Sequence, residues 1–380
     1  MTKMMSELPK ELLEEILARA PVQSTRAVRL TCKQWNTLSK EESFTKKHLV
    51  HVKAVREFMV VIVMDFKVCL MSINLHGIRK EEDVESSIEC KGILINLIDA
   101  SEVYHSGGLL LSITKDHTRL VVWNSYWGQT RWIEPRIRSI PVTYAIGYET
   151  RKSSRSYKLL SCVVSTIAGN CVEYSIYQLD SNSWGVLDVP CDWATDVYRH
   201  GGVSVNGNTY WYTPEGNMGE FLICFDFTRE RFGPALPLPF DSNCKDKVAL
   251  TSVREEQLAV LFMCQRISRI EIWITNKIEP NDVTWRKLFL AVDMKPLCSL
   301  LSDPIRHRSF FVDEEEKFVV LFGLHEETVR VRNIAYIIGE NGYFRKVDLG
   351  ESAHGYCLPV GCSYVPSSVQ IKQLINGKSS

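Results

Sequence analysis

Five stretches of this chain share one layout: an apolar run ending in an aromatic residue, a polar turn, a second aromatic, and another apolar run. They are LVVWNSYWGQTRWI, YSIYQLDSNSWGVL, FLICFDFTRERFGPAL, IEIWITNKIEPNDVTWRKL and AYIIGENGYFRKVDL. Their reference aromatics, Trp123, Tyr177, Phe225, Trp273 and Tyr336, stand 54, 48, 48 and 63 residues apart. A fainter copy, VCLMSINLHG, lies about 50 residues before Trp123. A unit of this length cannot bury its own faces, so each copy must pack against the next. That requirement limits the chain to a modular β architecture before any other residue is considered.

Spacing near 50 residues is what a four-stranded, kelch-like blade needs, so six copies predict a six-bladed β-propeller over residues 51–372. A long β-sandwich or two stacked β domains is the alternative that strand content alone would also allow. Within CVEYSIYQL, Val172, Tyr174 and Ile176 point one way and Glu173 and Ser175 the other, the period of a half-buried strand. Turn signals punctuate the repeats at Asn206-Gly207-Asn208, Asn217, Gly233-Pro234 and Asn341-Gly342. The ring must close, and the last strand candidate, near CSYVPSSVQI, is expected to pair with the first blade so that no long edge stays open. Residues 373–380 read as a polar tail.

Residues 1–50 follow a different period. Leu8, Leu12, Leu13, Ile16, Leu17 and Ala20 form one helical stripe, with Glu11, Glu14, Glu15 and Arg19 on the other side. Pro9 suits a first helical turn and Pro21 stops the helix. Ser24 is the expected N-cap of a second helix whose Val28, Cys32 and Trp35 share a face. A third short helix is expected from Ser43, with Phe44 turned inward. Three short helices bury little surface alone, so such a module needs a partner.

Along its whole length this segment, LPKELLEEILARAP, STRAVRLTCKQWNTL and SFTKKH, resembles the F-box motif. The match runs through Leu8-Pro9, Glu15-Ile16-Leu17, Pro21, Ser24, Arg29, Cys32-Lys33, Trp35, Phe44 and His48. Thr25 and Ala27 depart from it, standing where the family usually has leucine and arginine. The resemblance implies docking on a Skp-type adaptor and, through it, on cullin and RING subunits. Carried over residue by residue, it assigns Leu8, Pro9, Ile16, Leu17, Val28, Cys32 and Trp35 to adaptor contact or its immediate support. The competing reading of each is internal packing of a helical bundle.

The repeats, in turn, resemble the F-box-associated domain of the large plant F-box family. GGLLLSITKDHTRLVVWNSYWGQTRWIEPR, YAIGYE, SYKLLS, GNTYWY, FLICFDFTRERFGPALPLPF, IEIWITNKIEPNDVTW and AYIIGENGY carry this likeness. Ser125 and Trp127 stand where that family usually has proline and threonine. Losing a turn proline is expected to loosen this loop. The whole chain is therefore expected to be mainly β with a small all-α amino-terminal module, and to hold a protein target on its larger domain.

Charge and composition narrow the function further. Lysine plus arginine and aspartate plus glutamate both total 45, which gives no field to attract nucleic acid or an anionic membrane. The most apolar run, Phe58 to Met71, is too short for a bilayer span and contains Asp65 and Lys67, so it reads as a pair of buried strands. Twelve cysteines are scattered without zinc-ligand spacing and read as reduced, mostly buried thiols. With no secretory signal expected at the start, the compartment is cytosol, nucleus or both.

No histidine pair, nucleophile elbow or phosphate loop marks a catalytic centre, so no catalytic residue, metal or cofactor is expected. Trp123, Trp132, Trp184, Trp211, Trp273 and Trp285 read as inter-blade core rather than a ligand pocket. Glu314-Glu315-Glu316 reads as a solvated hairpin turn. The chain is thus expected to be the substrate-recognition subunit of a Skp-cullin-F-box ubiquitin ligase. The alternative is a propeller scaffold whose F-box is weak or vestigial and uncoupled from ubiquitin transfer. A propeller enzyme with a scattered site is the third reading.

Overall fold

The computed structural model describes residues 9–20, 24–54, 58–76, 78, 88–95, 98–138, 142–151, 154–165, 171–189, 201–216, 219–241, 247–264, 269–291, 309–326, 330–354 and 359–371. Four helices come first: α1 (Lys10–Ala18), α2 (Ser24–Thr31), α3 (Lys33–Leu38) and α4 (Glu42–Ala54). Six four-stranded antiparallel sheets follow. The first contains β1 (Phe58–Met64), β2 (Lys67–Ile73) and β3 (Ile88–Ile95), and the second β4 (Ala100–Ser106), β5 (Leu109–Thr114), β6 (Leu120–Asn124) and β7 (Gln129–Ile133). The third is built from β8 (Val142–Arg151), β9 (Ser154–Ser165), β10 (Cys171–Gln178) and β11 (Ser183–Leu187). Then come β12 (Val203–Val205), β13 (Asn208–Gly216), β14 (Gly219–Asp226) and β15 (Arg231–Phe232). In the fifth sheet are β16 (Lys247–Val253), β17 (Gln257–Cys264), β18 (Arg269–Glu279) and β19 (Asp282–Ala291). The sixth is β20 (Phe310–Asp313), β21 (Phe318–Glu326), β22 (Val331–Gly339) and β23 (Phe344–Glu351).

The final strand, β24 (Val360–Ser363), returns to the first sheet and pairs antiparallel with β1, Val60 opposite Ser363 and Val63 opposite Val360. β4, β8, β12, β16, β20 and β24 each touch the next in an unbroken circle, so they surround a common axis. The result is a six-bladed β-propeller closed by its last strand, which leaves no open inner edge. Gly361 makes this closure possible: a Cβ there would fall 2.4 Å from the Val61 carbonyl oxygen. Ser309 adds a clasp, its Oγ bonding both the N–H and the carbonyl of Gly361 at 2.6 Å.

The repeat read from the sequence has one structural meaning. Trp123, Tyr177, Phe225, Trp273 and Tyr336 lie on β6, β10, β14, β18 and β22, the third strand of each blade counted from the axis, and VCLMSINLHG includes the equivalent β2. The half-buried strand expected at CVEYSIYQL is buried on both sides instead. Tyr174 and Ile176 pack with Trp211 and Ile223 of the fourth blade, whereas Tyr177 packs with Leu111 and Val122 of the second. A blade lies between two others, so alternation separates two cores rather than core from water.

Six such cores fill the six inter-blade gaps, and a seventh, Leu13, Leu17, Ala18, Leu38 and Phe44, belongs to the helices. Trp123 and Trp211 are buried, and Trp184 and Trp285 flank cores while donating to the carbonyls of Glu134 and Pro237. Trp132 and Trp273 depart from the expected core role. Arg119 lies over the exposed Trp132, and Trp273 bonds Glu271 beneath Lys287. The expected hairpin at residues 314–316 is present, with Asp313 accepting from the N–H groups of Glu315 and Glu316. Its glutamates are not merely solvated, because Glu314 pairs with Arg286, Glu315 with Arg254 and Glu316 with His76.

Candidate functional site: the helical module and its two faces

The helix expected from Ser24 through Trp35 is interrupted. Cys32 is extended at φ −156° and ψ 163°, and its Sγ accepts from the Trp35 N–H at 3.4 Å, so it ends α2 and caps α3. A thiol at an N-cap satisfies a donor that the first turn would otherwise leave open. The break turns Cys32 outward, while Val28 and Trp35 pack partly buried against the module's core. Phe44 points inward as expected, from α4.

α1 has two apolar sides. Leu13, Leu17 and Ala18 are buried, so Leu17 faces the module's own core. Ile16, 39% exposed, and Leu12, 52% exposed, are one turn apart on the outer side, with exposed Pro9 at the start of the helix. Leu30 on α2 is 80% exposed. Leu12 and Leu30 are exposed apolar residues outside the set that the motif assigns. The signal for Leu12 was its place in the α1 stripe, one turn from Ile16. Leu8 lies outside the described residues, as do the side chains of Thr25 and Ala27. Together Pro9, Leu12, Ile16 and Leu30 leave apolar surface in water on a small unit.

Polar contacts fix the helices that present this surface. Glu15 receives Lys47 of α4 and Arg19, at 2.5 and 3.0 Å, and these two cations hold its carboxyl down at about 2. Lys10 bonds Glu41 at 2.9 Å and is raised above its ordinary value chiefly by that bond.

A second face meets the propeller at the β6–β7 turn. Arg29 donates from Nη1 to the Tyr126 carbonyl at 2.6 Å, and its guanidinium lies 4.2 Å from the Trp127 ring centre. His48 bonds the Ala20 carbonyl through Nε2 at 2.7 Å, which leaves Nδ1 to accept from the Tyr126 hydroxyl at 3.0 Å. Burial lowers the pKa of both Arg29 and His48 and raises that of Tyr126. The loosening expected from Ser125 and Trp127 is not observed. Tyr126 is fully buried, the Ser125 hydroxyl bonds that of Tyr364, and Trp127 Nε1 donates to the Ser368 carbonyl at 2.9 Å.

At the propeller axis a cavity of about 100 Å³ is lined by Glu102, Tyr104, His105, Thr251 and Ser252 among others. Its ionisable groups serve the frame. His105 Nδ1 lies 3.1 Å from Glu255, and the same carboxylate accepts from the Gly107 N–H at 2.6 Å. Desolvation keeps His105 below its ordinary pKa and Tyr104 far above. Among the described residues no group of three or more His, Cys, Asp or Glu is arranged to hold a metal. Of the described free thiols, Cys69, Cys162 and Cys224 are buried and Cys32 and Cys90 exposed. None of the described helices is long and apolar enough to cross a membrane.

Comparison with known proteins agrees with both parts. Residues 5–47 match the F-box domain and residues 59–371 the F-box associated beta propeller domain. A protein of Arabidopsis thaliana named for F-box and kelch-repeat content is 62% identical over 384 residues, spanning 100% of both chains. Another F-box/kelch-repeat protein of that plant is 50% identical over 397 residues, covering 96% of this chain and 99% of its own. An F-box protein of the same species is 48% identical over 419 residues, covering 98% and 100%. With helices, blades and closure all accounted for, the chain belongs to the F-box proteins that carry an F-box-associated β-propeller domain.

Proposed function

We propose that this chain is the substrate-recognition subunit of a Skp-cullin-F-box ubiquitin ligase. The observation that carries the reading is the outward apolar side of α1, Pro9, Leu12 and Ile16, on a module whose other face rests on the propeller. The adaptor covers the outward side and brings the cullin and RING subunits. The chain supplies no catalytic group. Its contribution is positional, because a target held near the charged conjugating enzyme presents its lysines at high effective concentration. The work divides near residue 50, with the target taken by propeller loops. Cytosol and nucleus are the compartments where such a ligase works.

The test replaces Ile16 in the full chain. Ile16→Asp should weaken capture of a purified Skp-type adaptor by about 30-fold or more, the loss expected for a central apolar contact. Its thermal unfolding should match the wild type. Undiminished capture would remove α1 from the interface. If adaptor binds but cullin never joins, the scaffold reading replaces the ligase reading. The target is sought by affinity purification under proteasome inhibition, comparing the intact chain with one lacking residues 1–50. Proteins held by both forms are target candidates.

A further inference from the structure

The β6–β7 turn is built by a distant part of the chain. Asn124 folds it locally, its Oδ1 accepting from the Tyr126 N–H at 2.8 Å and from the Trp127 N–H at 3.4 Å. The Nδ2 of the same side chain donates to the carbonyls of Ser367 and Val369, at 3.2 and 2.5 Å. Gln129 accepts the Ile371 N–H at 2.8 Å, and Ile371 is buried between the second and third blades. At its other end this segment is anchored by the Tyr364 N–H on the Met59 carbonyl at 2.8 Å, and midway by Ser367 Oγ on the Gly107 carbonyl at 2.9 Å. Residues 364–371 therefore run from the ring closure to the turn that meets the helices.

We infer that this turn, braced by residues 364–371, is a rigid seat that sets the orientation of the F-box on the propeller, with Arg29 and His48 as its positioning residues. The inference rests on the ligase reading for its purpose, since orientation fixes where a bound target faces the conjugating enzyme. It rests on geometry alone for its existence. Tyr126 offers its carbonyl to Arg29 and its hydroxyl to His48, so one buried side chain and its backbone hold α2 and α4 together. Trp127 adds a ring face for the guanidinium, and its indole N–H is tied to residue 368. A flexible tether would need none of these contacts. The aromatic at position 127, a departure from the usual threonine, acquires a function here: a threonine has no face to offer a cation.

The experiment uses the full chain without adaptor and follows amide hydrogen exchange in α2 and α4. Trp127→Thr should speed their exchange by about tenfold, the scale of a partly desolvated cation–π contact, with the fifth blade unchanged. Trp127→Phe should restore most of the protection because it keeps an aromatic face, whereas Trp127→Leu should not. Small-angle X-ray scattering should fit one rigid arrangement for the wild type and the Phe variant, and a spread of arrangements for Thr and Leu. Protection unchanged in the Thr variant, or equal protection in Phe and Leu, would overturn the seat. Adaptor capture is measured separately and should persist in every Trp127 variant. A wild type that shows the exchange pattern but captures no adaptor would support the seat while removing the ligase reading.

Discussion

The propeller and the helical module are stabilised on different terms. Among the described residues the smallest inter-blade core holds ten buried residues, whereas the module's own core holds five, so the module has far less of its own to stand on. The ring also repeats its solution, with each blade covered on both faces by others. The module has one chance, and it leans on the β6–β7 turn on one side while exposing Leu12 and Ile16 on the other. The larger cores and the exposed apolar surface thus fall to separate regions. On the proposed reading this separation is useful, because an adaptor-facing surface on α1 can remain apolar without endangering the larger domain.

The sharpest way to break this contrast is to cut an equivalent hole in each part. Trp211 is wholly buried against Tyr174 and Phe225, and Trp211→Ala should cost about 3–5 kcal/mol. Because the ring is closed, the loss should lower the thermal midpoint of the whole propeller. Leu13→Ala, also at a fully buried site, should cost about 2–5 kcal/mol but confine the damage to the helices. Circular dichroism would then lose helical signal while the propeller transition stays in place. A shared transition in the Leu13 variant would show that the two parts unfold as one and that the contrast is false.

Ring closure is the next test, with a smaller expected effect. In Gly361→Ala the new methyl would press on the Val61 carbonyl oxygen and the Ile62 side chain, at 2.4 and 2.6 Å before relaxation. Overpacking of this kind costs about 1–3 kcal/mol. Since β24 leads directly into residues 364–371, exchange in α2 should rise along with exchange in β1. Faster exchange in β1 with α2 unaffected would separate closure from the seat.

The two parts were also unequally legible in the sequence. Blade number, a strand–turn–strand unit in each blade and closure near CSYVPSSVQI could all be read because aromatic spacing and turn chemistry are local and recur from blade to blade. Burial of both strand faces was not readable, since alternation in Val172 to Ile176 looks the same whether water or another blade lies beyond Ser175. The pairing of Glu314 and Glu315 with Arg286 and Arg254 was hidden because ring geometry, not sequence spacing, brings them together. For the F-box, motif matching singled out Pro9, Ile16 and Cys32, which the structure leaves exposed, but could not separate buried Leu17 from exposed Leu12, which sit on neighbouring parts of one stripe. The propeller-facing roles of Arg29 and His48 needed Tyr126, some 97 and 78 residues away, to be seen.

Cys32 offers the finest test of how the module borrows stability. Spacing of Val28, Cys32 and Trp35 suits one continuous helix, yet the chain breaks at Cys32 and uses the thiol as a cap. Sulfur is a weak acceptor, and at 3.4 Å it holds the Trp35 N–H less firmly than a hydroxyl would. Cys32→Ser should therefore strengthen the start of α3 by a few tenths to about 1 kcal/mol, and Cys32→Ala should weaken it by a similar amount. Exchange of the amides in residues 33–38 measures both, slower in Ser and faster in Ala. If Ser instead speeds exchange, the cap is not what holds the break, and continuity between α2 and α3 would have to be imposed by the adaptor rather than limited by the sequence. If Ser slows exchange yet weakens adaptor capture, Cys32 serves the outer surface through its apolar sulfur at the expense of the best cap, the same division between docking and stability on the scale of one residue.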